Sequence, residues 1–281
     1  MESVALNDAA LWTETTGRGD AAVVLCHGGP GLSDNLSPVA SMIDESVVVH
    51  RYDQRGGGRS SGAGPFTVAR FVEDLEALRL HWKHRSWIVG GHSWGGWLSL
   101  MYAVKHSTRV SAIAAIAMPP PPSDEWKESY LRARDSRLNA DERDFFEDVR
   151  RRRRAGEWIS EDDERRWAHL SWRTDFADFD AMRDFSRDPL YAYPPNHEVN
   201  RALGADMDAL AASHDLLADL ASIHVPALFI HGEGDPRPAP TSVVAAIPEA
   251  RLVRIAGAGH LPWLERPADV SNALREFLRS V

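Results

Sequence analysis

The sequence has a single cysteine, Cys26, so an internal disulfide is impossible and the thiol content gives no sign of an oxidising compartment. No stretch approaches the roughly 18 consecutive apolar residues that a membrane-spanning helix needs. The segment from Met1 to Trp12 has neither the basic start nor the sustained apolar run of a secretory leader. A cytoplasmic location without a membrane partner is therefore the expectation. An excess of positive charge is also missing: 32 Lys and Arg face 41 Asp and Glu, for a formal net charge of -9. An acidic field disfavours unaided binding to nucleic acid, whose phosphates are drawn to basic patches, so no nucleic-acid partner is expected. No internal repeat and no low-complexity linker is present. What remains, 281 residues of which 43% are hydrophobic and 26% charged, is enough for one globular unit with a large core.

Short apolar runs bounded by glycine and polar residues recur at 21–26, 46–52, 86–91, 110–118, 226–232 and 250–257. Four to eight residues rich in β-branched side chains read as strands buried on both faces. Between them, 66–84, 95–106, 239–246 and 267–280 carry apolar residues at helical spacing. This alternation predicts an α/β architecture, a mostly parallel sheet flanked by helices. It stops at Pro119 to Pro122, four consecutive prolines that can neither continue a strand nor enter a helix interior. The stretch that follows is rich in charge, Trp and Arg and holds no convincing strand. We expect a core formed by 1–118 and 216–281, with 119–215 inserted as a helical cap. Within it Arg150 to Arg154 form a basic run hemmed by Asp and Glu. An anion or nucleic-acid site is the alternative to the plainer expectation, a solvated helix face with local ion pairs.

The strongest chemical signal is Gly91-His92-Ser93-Trp94-Gly95, set between a predicted strand and a predicted helix. This is the context of a nucleophile elbow, in which a sharp turn holds the serine clear of the sheet and the flanking glycines let neighbouring chain approach. Such an elbow on a parallel sheet is the mark of an α/β-hydrolase fold. Serine is a poor nucleophile unless an imidazole, itself held by a carboxylate, takes its proton. In this fold the chain order is Ser, acid, His. Of twelve histidines, His260 follows the last predicted strand among small residues and is the candidate base. His27 and His92 fall in motifs with backbone roles, and His81, His84 and His106 sit on predicted helices. For the acid, the loop after 226–231 offers Asp235, with Glu233 as the fallback. Donors for a tetrahedral oxyanion are each worth roughly 3 kcal/mol of barrier. The N–H of Trp94 is one candidate. Gly29, in Cys26-His27-Gly28-Gly29-Pro30-Gly31, is the other, and Gly28 stays open for the same donation and for substrate contact. Cys26 lies in a predicted core strand and reads as a small buried apolar residue.

With these pieces assembled, the sequence resembles the proline iminopeptidase family of α/β-hydrolases. The resemblance rests on His27-Gly28-Gly29-Pro30-Gly31, on Asp53-Gln54-Arg55-Gly56-Gly57-Gly58-Arg59-Ser60, on Gly91-His92-Ser93-Trp94-Gly95-Gly96, and on Gly259-His260 with Glu265-Arg266-Pro267 behind it. It covers about 20–118 and 224–280 and is thin in the cap. It implies a helical cap over the site, a Ser93, Asp235, His260 triad, and release of an N-terminal residue, typically proline, from peptides. The family holds the substrate's free amine with glutamates. Pro195-Asn196-His197-Glu198 looks similar to the cap motif that supplies one, which makes Glu198 the candidate amine anchor. Some members carry a second glutamate directly after the triad aspartate, where this sequence has Pro236.

The leading expectation is a serine hydrolase acting as a proline iminopeptidase-like aminopeptidase on a short peptide. The alternative is an esterase, lactonase or amidase on a small apolar molecule, and a third is a ligand receptor that keeps the pocket but scarcely turns over. Trp126, Trp158, Trp167 and Trp172 could line an acyl pocket or pack the cap helices. Epoxide hydrolase and dehalogenase chemistry would need a carboxylate where Ser93 stands. No metal or organic cofactor is expected.

Overall fold

The computed structural model describes residues 1–6, 8–179, 193–213 and 215–281. Its centre is an eight-stranded sheet in the order β1-β2-β4-β3-β5-β6-β7-β8. The expected runs form β3 (Ala22–Cys26), β4 (Val48–Tyr52), β5 (Trp87–His92), β6 (Val110–Ile116), β7 (Ala227–Gly232) and β8 (Ala250–Ile255), all paired in parallel. Every residue of β3, β5 and β7 is buried, which is why these strands read as unbroken apolar runs. Two strands were not anticipated, β1 (Glu2–Ala5) and β2 (Ala10–Gly17), which add antiparallel at one edge. In β2, Leu11 and Thr13 point inward between half-exposed neighbours, so the strand alternates and carries no apolar run.

Successive strand residues point to opposite faces, and the core divides accordingly. Val24 and Val89 belong to one cluster with Phe71, Leu75 and Leu98. Val23, Leu25 and Ile88 belong to the other with Val39, Leu274 and Phe277. Helices α1 (Ser37–Ser41), α2 (Val68–His81) and α3 (Trp94–Lys105) lie in the first half of the chain. After β6 come α4 (Asp124–Asp135), α5 (Ala140–Arg154), α6 (Glu161–Asp175) and α7 (His197–Ser213), followed by α8 (Leu216–Leu220). Then α9 (Thr241–Ala246), α10 (Pro262–Glu265) and α11 (Pro267–Leu278) complete the chain. The part of the expected cap at 180–192, with residue 214, lies outside the described residues. Among those described, no helix is long and apolar enough to cross a membrane.

The basic run ends α5, where cations complement the helix dipole, and α5 begins with a capping box of Asn139 and Glu142. Arg150 and Arg151 pair along the helix with Glu147 and Asp148, while Arg152 and Arg153 reach Asp163 and Glu164 at the acidic start of α6. Local ion pairing accounts for these four arginines.

One buried polar cluster makes stability depend on pH. His50 stacks on Trp82 at 4.0 Å, its Nδ1 lies 2.8 Å from the Thr15 hydroxyl, and its Nε2 lies 2.8 Å from Nε2 of His84. Burial, and then the neighbouring His84, push the His50 imidazolium down from 6.5 to about 4. Between those values the unfolded chain takes up a proton that the native state refuses. Stability is therefore full above about 6.5 and falls as pH drops toward 4, by up to about 3 kcal/mol from this group. Urea midpoints at pH 7 and 4.5 should show this loss in the wild type and a smaller loss in His50→Gln.

Candidate active site

Ser93 stands at the turn from β5 into α3 with φ of 53° and ψ of -115°, a strained combination for a residue with a Cβ. The turn is fixed by the Ser93 N–H donating to the Ile116 carbonyl at 2.9 Å and by Gly96 N–H donating to the Ser93 carbonyl at 3.0 Å. The flanking glycines are obligatory by contact: a Cβ on Gly91 would strike the Gly95 backbone, and one on Gly95 the Cys26 carbonyl. The half-buried Ser93 hydroxyl makes no hydrogen bond of its own among the described residues, so it is free to rotate.

Loops after β7 and β8 bring Asp235 and His260 together. His260 Nδ1 lies 2.6 Å from Asp235 Oδ2, and the Asp235 side chain is fully buried. Burial alone would raise the Asp235 carboxyl; the facing His260, its hydrogen bond and Arg237 outweigh that and hold it well below the usual carboxylate range. The fallback acid, Glu233, is exposed. His92 donates from Nε2 to the His260 carbonyl at 2.9 Å, and its ring packs edge-on to Trp263. Burial, then His260, push the His92 imidazolium far down, so this ring is a neutral prop for the loop. His27 accepts the Gln54 N–H at Nε2, and the Gln54 side chain spans the His27 carbonyl and the Trp94 indole N–H, each at 2.8 Å. Gln54 thus ties the Gly28-Gly29 loop to the elbow. The N–H groups of Gly29 and Trp94 have no acceptor among the described residues. Cys26 is fully buried beneath them, and burial pushes its thiol up to about 11, which suits packing rather than attack.

A cavity of about 230 Å³ lies between these loops and the inserted helices. Gly28, Gly29, Ser93 and His260 line the sheet side, while Tyr130, Phe146, Trp167 and Trp172 line the helical side. Trp126 packs against Tyr130 instead, and Trp158 is exposed. Glu198 is exposed in the first turn of α7 and does not line the cavity, although Pro195, His197 and Asn200 around it do. The expected amine anchor is therefore not brought to the other site residues. The one acid along the cavity among the described residues is Asp175, paired with Arg237 at 2.7 Å. Burial opposes the Arg237 charge, but Asp175 and Asp235 sustain it.

The end of α6 is laced to both loops. His260 N–H donates to the Asp175 carbonyl at 2.7 Å. Arg137 donates to the carbonyls of Thr174, Phe176 and Gly234, and Glu265 accepts the N–H groups of Ala177, Asp178 and Gly259. Sequence reading assigned no role to Gln54, Arg137, Asp175, Arg237 or Glu265. Gln54 and Glu265 lie in motifs that could have flagged them; the other three are read only through tertiary contacts. No group of three or more metal-binding side chains occurs among the described residues.

A catalytic-type elbow at the end of a central parallel strand, with a buried acid and histidine converging on its cavity, defines the class. A family model described as alpha/beta hydrolase fold matches residues 21–267, and the chain belongs to that family. Within it the chain is similar to a proline iminopeptidase of Pestalotiopsis fici, 31% identical over 144 residues that cover 50% of each protein. It spans about half the length, or less, of the curated relatives it matches. A thermophilic esterase from Thermogutta terrifontis superposes with a TM-score of 0.72 at 24% identity, covering 100% of this chain and 99% of that one. A proline iminopeptidase from Mycobacterium smegmatis does so with a TM-score of 0.67 at 23% identity, covering 99% and 97%. At those identities the likeness is one of fold, and the resemblance to proline iminopeptidases rests on the sequence matches.

Proposed function

We propose that the protein is a serine hydrolase whose triad is Ser93, His260 and Asp235, acting through an acyl-enzyme on a small ester, lactone or amide. The observation that carries this reading is the 2.6 Å contact of buried Asp235 with His260, lining one cavity with a serine held in a strained elbow. His260 Nε2 takes the Ser93 proton as Oγ attacks the carbonyl carbon, and Asp235 fixes the tautomer and balances the imidazolium that forms. The free N–H groups of Gly29 and Trp94 receive the oxyanion. The imidazolium then protonates the leaving group, and water attacks the acyl-enzyme by the same relay in reverse. In this reading the helices of 119–215 form a cap that excludes water and shapes the acyl pocket.

A second reading, release of an N-terminal residue, is favoured by the similarity to proline iminopeptidases. It requires a carboxylate free to hold a protonated amine. Asp175 is already neutralised by Arg237, Glu198 faces away from the cavity, and Pro236 replaces the second glutamate. Initial rates on 4-nitrophenyl butyrate and on proline 4-nitroanilide separate the two. We expect cleavage of the ester and none of the anilide. Cleavage of the anilide, with a loss of roughly tenfold to a hundredfold in Glu198→Gln confined to free-amine substrates, would establish the exopeptidase instead.

Glu265 is expected to act through the loop that carries His260. Replacing its carboxylate, which accepts three N–H groups, by the amide of Glu265→Gln sets a donor against a donor. On the order of 1.5 to 3 kcal/mol is at stake for such a charged hydrogen bond. The expected result is a fall in kcat of about tenfold or more with KM little altered. An unchanged kcat would relegate Glu265 to packing.

A further inference from the structure

We infer that the wall of the cavity formed by Tyr130, Arg134 and Arg237 recognises a carboxylate carried by the substrate. The inference rests on the hydrolase reading above and names the class of molecule that the site would accept. Arg134, from α4, is buried and Arg237, from the loop after β7, is 16% exposed, and both line the cavity that Ser93 and His260 line. Their flat faces are covered: the Arg237 guanidinium carbon lies 4.6 Å over the Tyr130 ring, and that of Arg134 lies 4.8 Å over Phe146. Polar contact is thus left to their edges. Arg134 spends Nε and Nη2 on Asp135, and Arg237 spends both Nη atoms on Asp175. Arg134 Nη1, Arg237 Nε and the Tyr130 hydroxyl have no partner among the described residues.

Donors that lack a protein acceptor on a residue lining a cavity can be met there by a ligand oxygen. Charge decides which ligand. Two guanidinium groups and one carboxylate, Asp175, line the cavity, because Asp135 is 38% exposed and outside the lining. Both arginines are ion-paired, Arg134 with Asp135 and Arg237 with Asp175, but Asp135 stands outside the lining, so the described wall presents two guanidinium edges and one carboxylate to the cavity, which suits an anionic ligand group over a cationic one. A guanidinium edge matches the planar fork of a carboxylate, and the aromatic surfaces of Phe146, Trp167 and Trp172 suit an apolar chain behind it. A protonated amine would meet two cations and find the one carboxylate of the described wall already paired.

The test compares three 4-nitrophenyl esters of equal chain length: the monoester of adipic acid, the hexanoate, and the 6-aminohexanoate. We expect kcat/KM to favour the adipate monoester over the hexanoate by roughly tenfold to a hundredfold, and the amino ester to be the poorest. In Arg134→Met that preference should fall to near unity. Should this variant fold poorly, free adipate in the wild type decides: it should inhibit competitively, whereas 1,6-hexanediol should not. A hexanoate cleaved as well as the adipate monoester, or a preference intact in Arg134→Met, would overturn the carboxylate site while leaving the hydrolase reading standing. If none of the three esters is cleaved and a fluorophosphonate fails to label the protein, the hydrolase reading itself fails. Calorimetric titration with adipate would then still decide the charge site, with absence of binding counting against it.

Discussion

Ser93→Ala is expected to lower kcat about a millionfold on any substrate that the wild type turns over, while the far-ultraviolet circular dichroism and the thermal transition stay close to wild type. The size of the effect follows from the hydroxyl being the group that forms the acyl bond; no neighbour offers a substitute. Cys26 is buried with its thiol pushed up to about 11, and the next nucleophile along the elbow, Ser99, donates its hydroxyl to the Gly95 carbonyl inside α3. Retention of the fold follows from the elbow being held by backbone hydrogen bonds and by the close approach at Gly91 and Gly95 rather than by the Ser93 side chain. Alanine also relieves nothing: it keeps a Cβ at a φ of 53°, so no gain in stability is expected from lost strain. Progress curves at high enzyme concentration, read against a buffer blank, measure the residual rate.

Asp235→Asn is expected to cost about four orders of magnitude in kcat. The amide can donate as well as accept, so His260 is no longer obliged to carry its proton on Nδ1 and to present a bare Nε2 to the serine. The change also removes a charge that His260 and Arg237 together hold ionised far below the usual carboxylate range, leaving the imidazolium of the transition state unbalanced. Glu233→Gln serves as the control. Its side chain is exposed two residues away, and its backbone N–H, which the substitution leaves intact, is what bonds the Ile255 carbonyl. Parallel kcat measurements on the two variants should show a heavy loss in Asp235→Asn and nearly none in Glu233→Gln. The reverse would assign the acid to Glu233.

The parts of this molecule legible in its sequence are those determined over a few consecutive residues. Six strands announced themselves because burial on both faces forces an apolar run, and the elbow did because a strand, a Gly-x-Ser-x-Gly turn and a helix must follow one another. Strand β2 escaped because it is half solvated and its inward positions include Thr13, which breaks the apolar pattern. The pair Asp235 and His260 could be picked from the loops that follow β7 and β8, since those loops open at the same sheet edge. Arg137, Asp175 and Arg237 could not. Each is an ordinary charged residue in its own stretch of chain and gains meaning only when the end of α6 is set against two loops 60 to 85 positions downstream. Glu198 shows the converse: a local motif pointed to it, but where α7 begins its side chain is turned to solvent. A motif fixes the sequence around a residue more firmly than the direction of its side chain.

The most direct test of the account is to treat the purified protein with a fluorophosphonate probe, digest it and locate the adduct by mass spectrometry. The probe phosphonylates only a serine activated by a neighbouring base. One adduct is expected, on the peptide that contains Ser93, with labelling lost in Ser93→Ala and slowed by orders of magnitude in Asp235→Asn. An adduct on any other residue, or no adduct on a protein that otherwise hydrolyses its substrate, would contradict it.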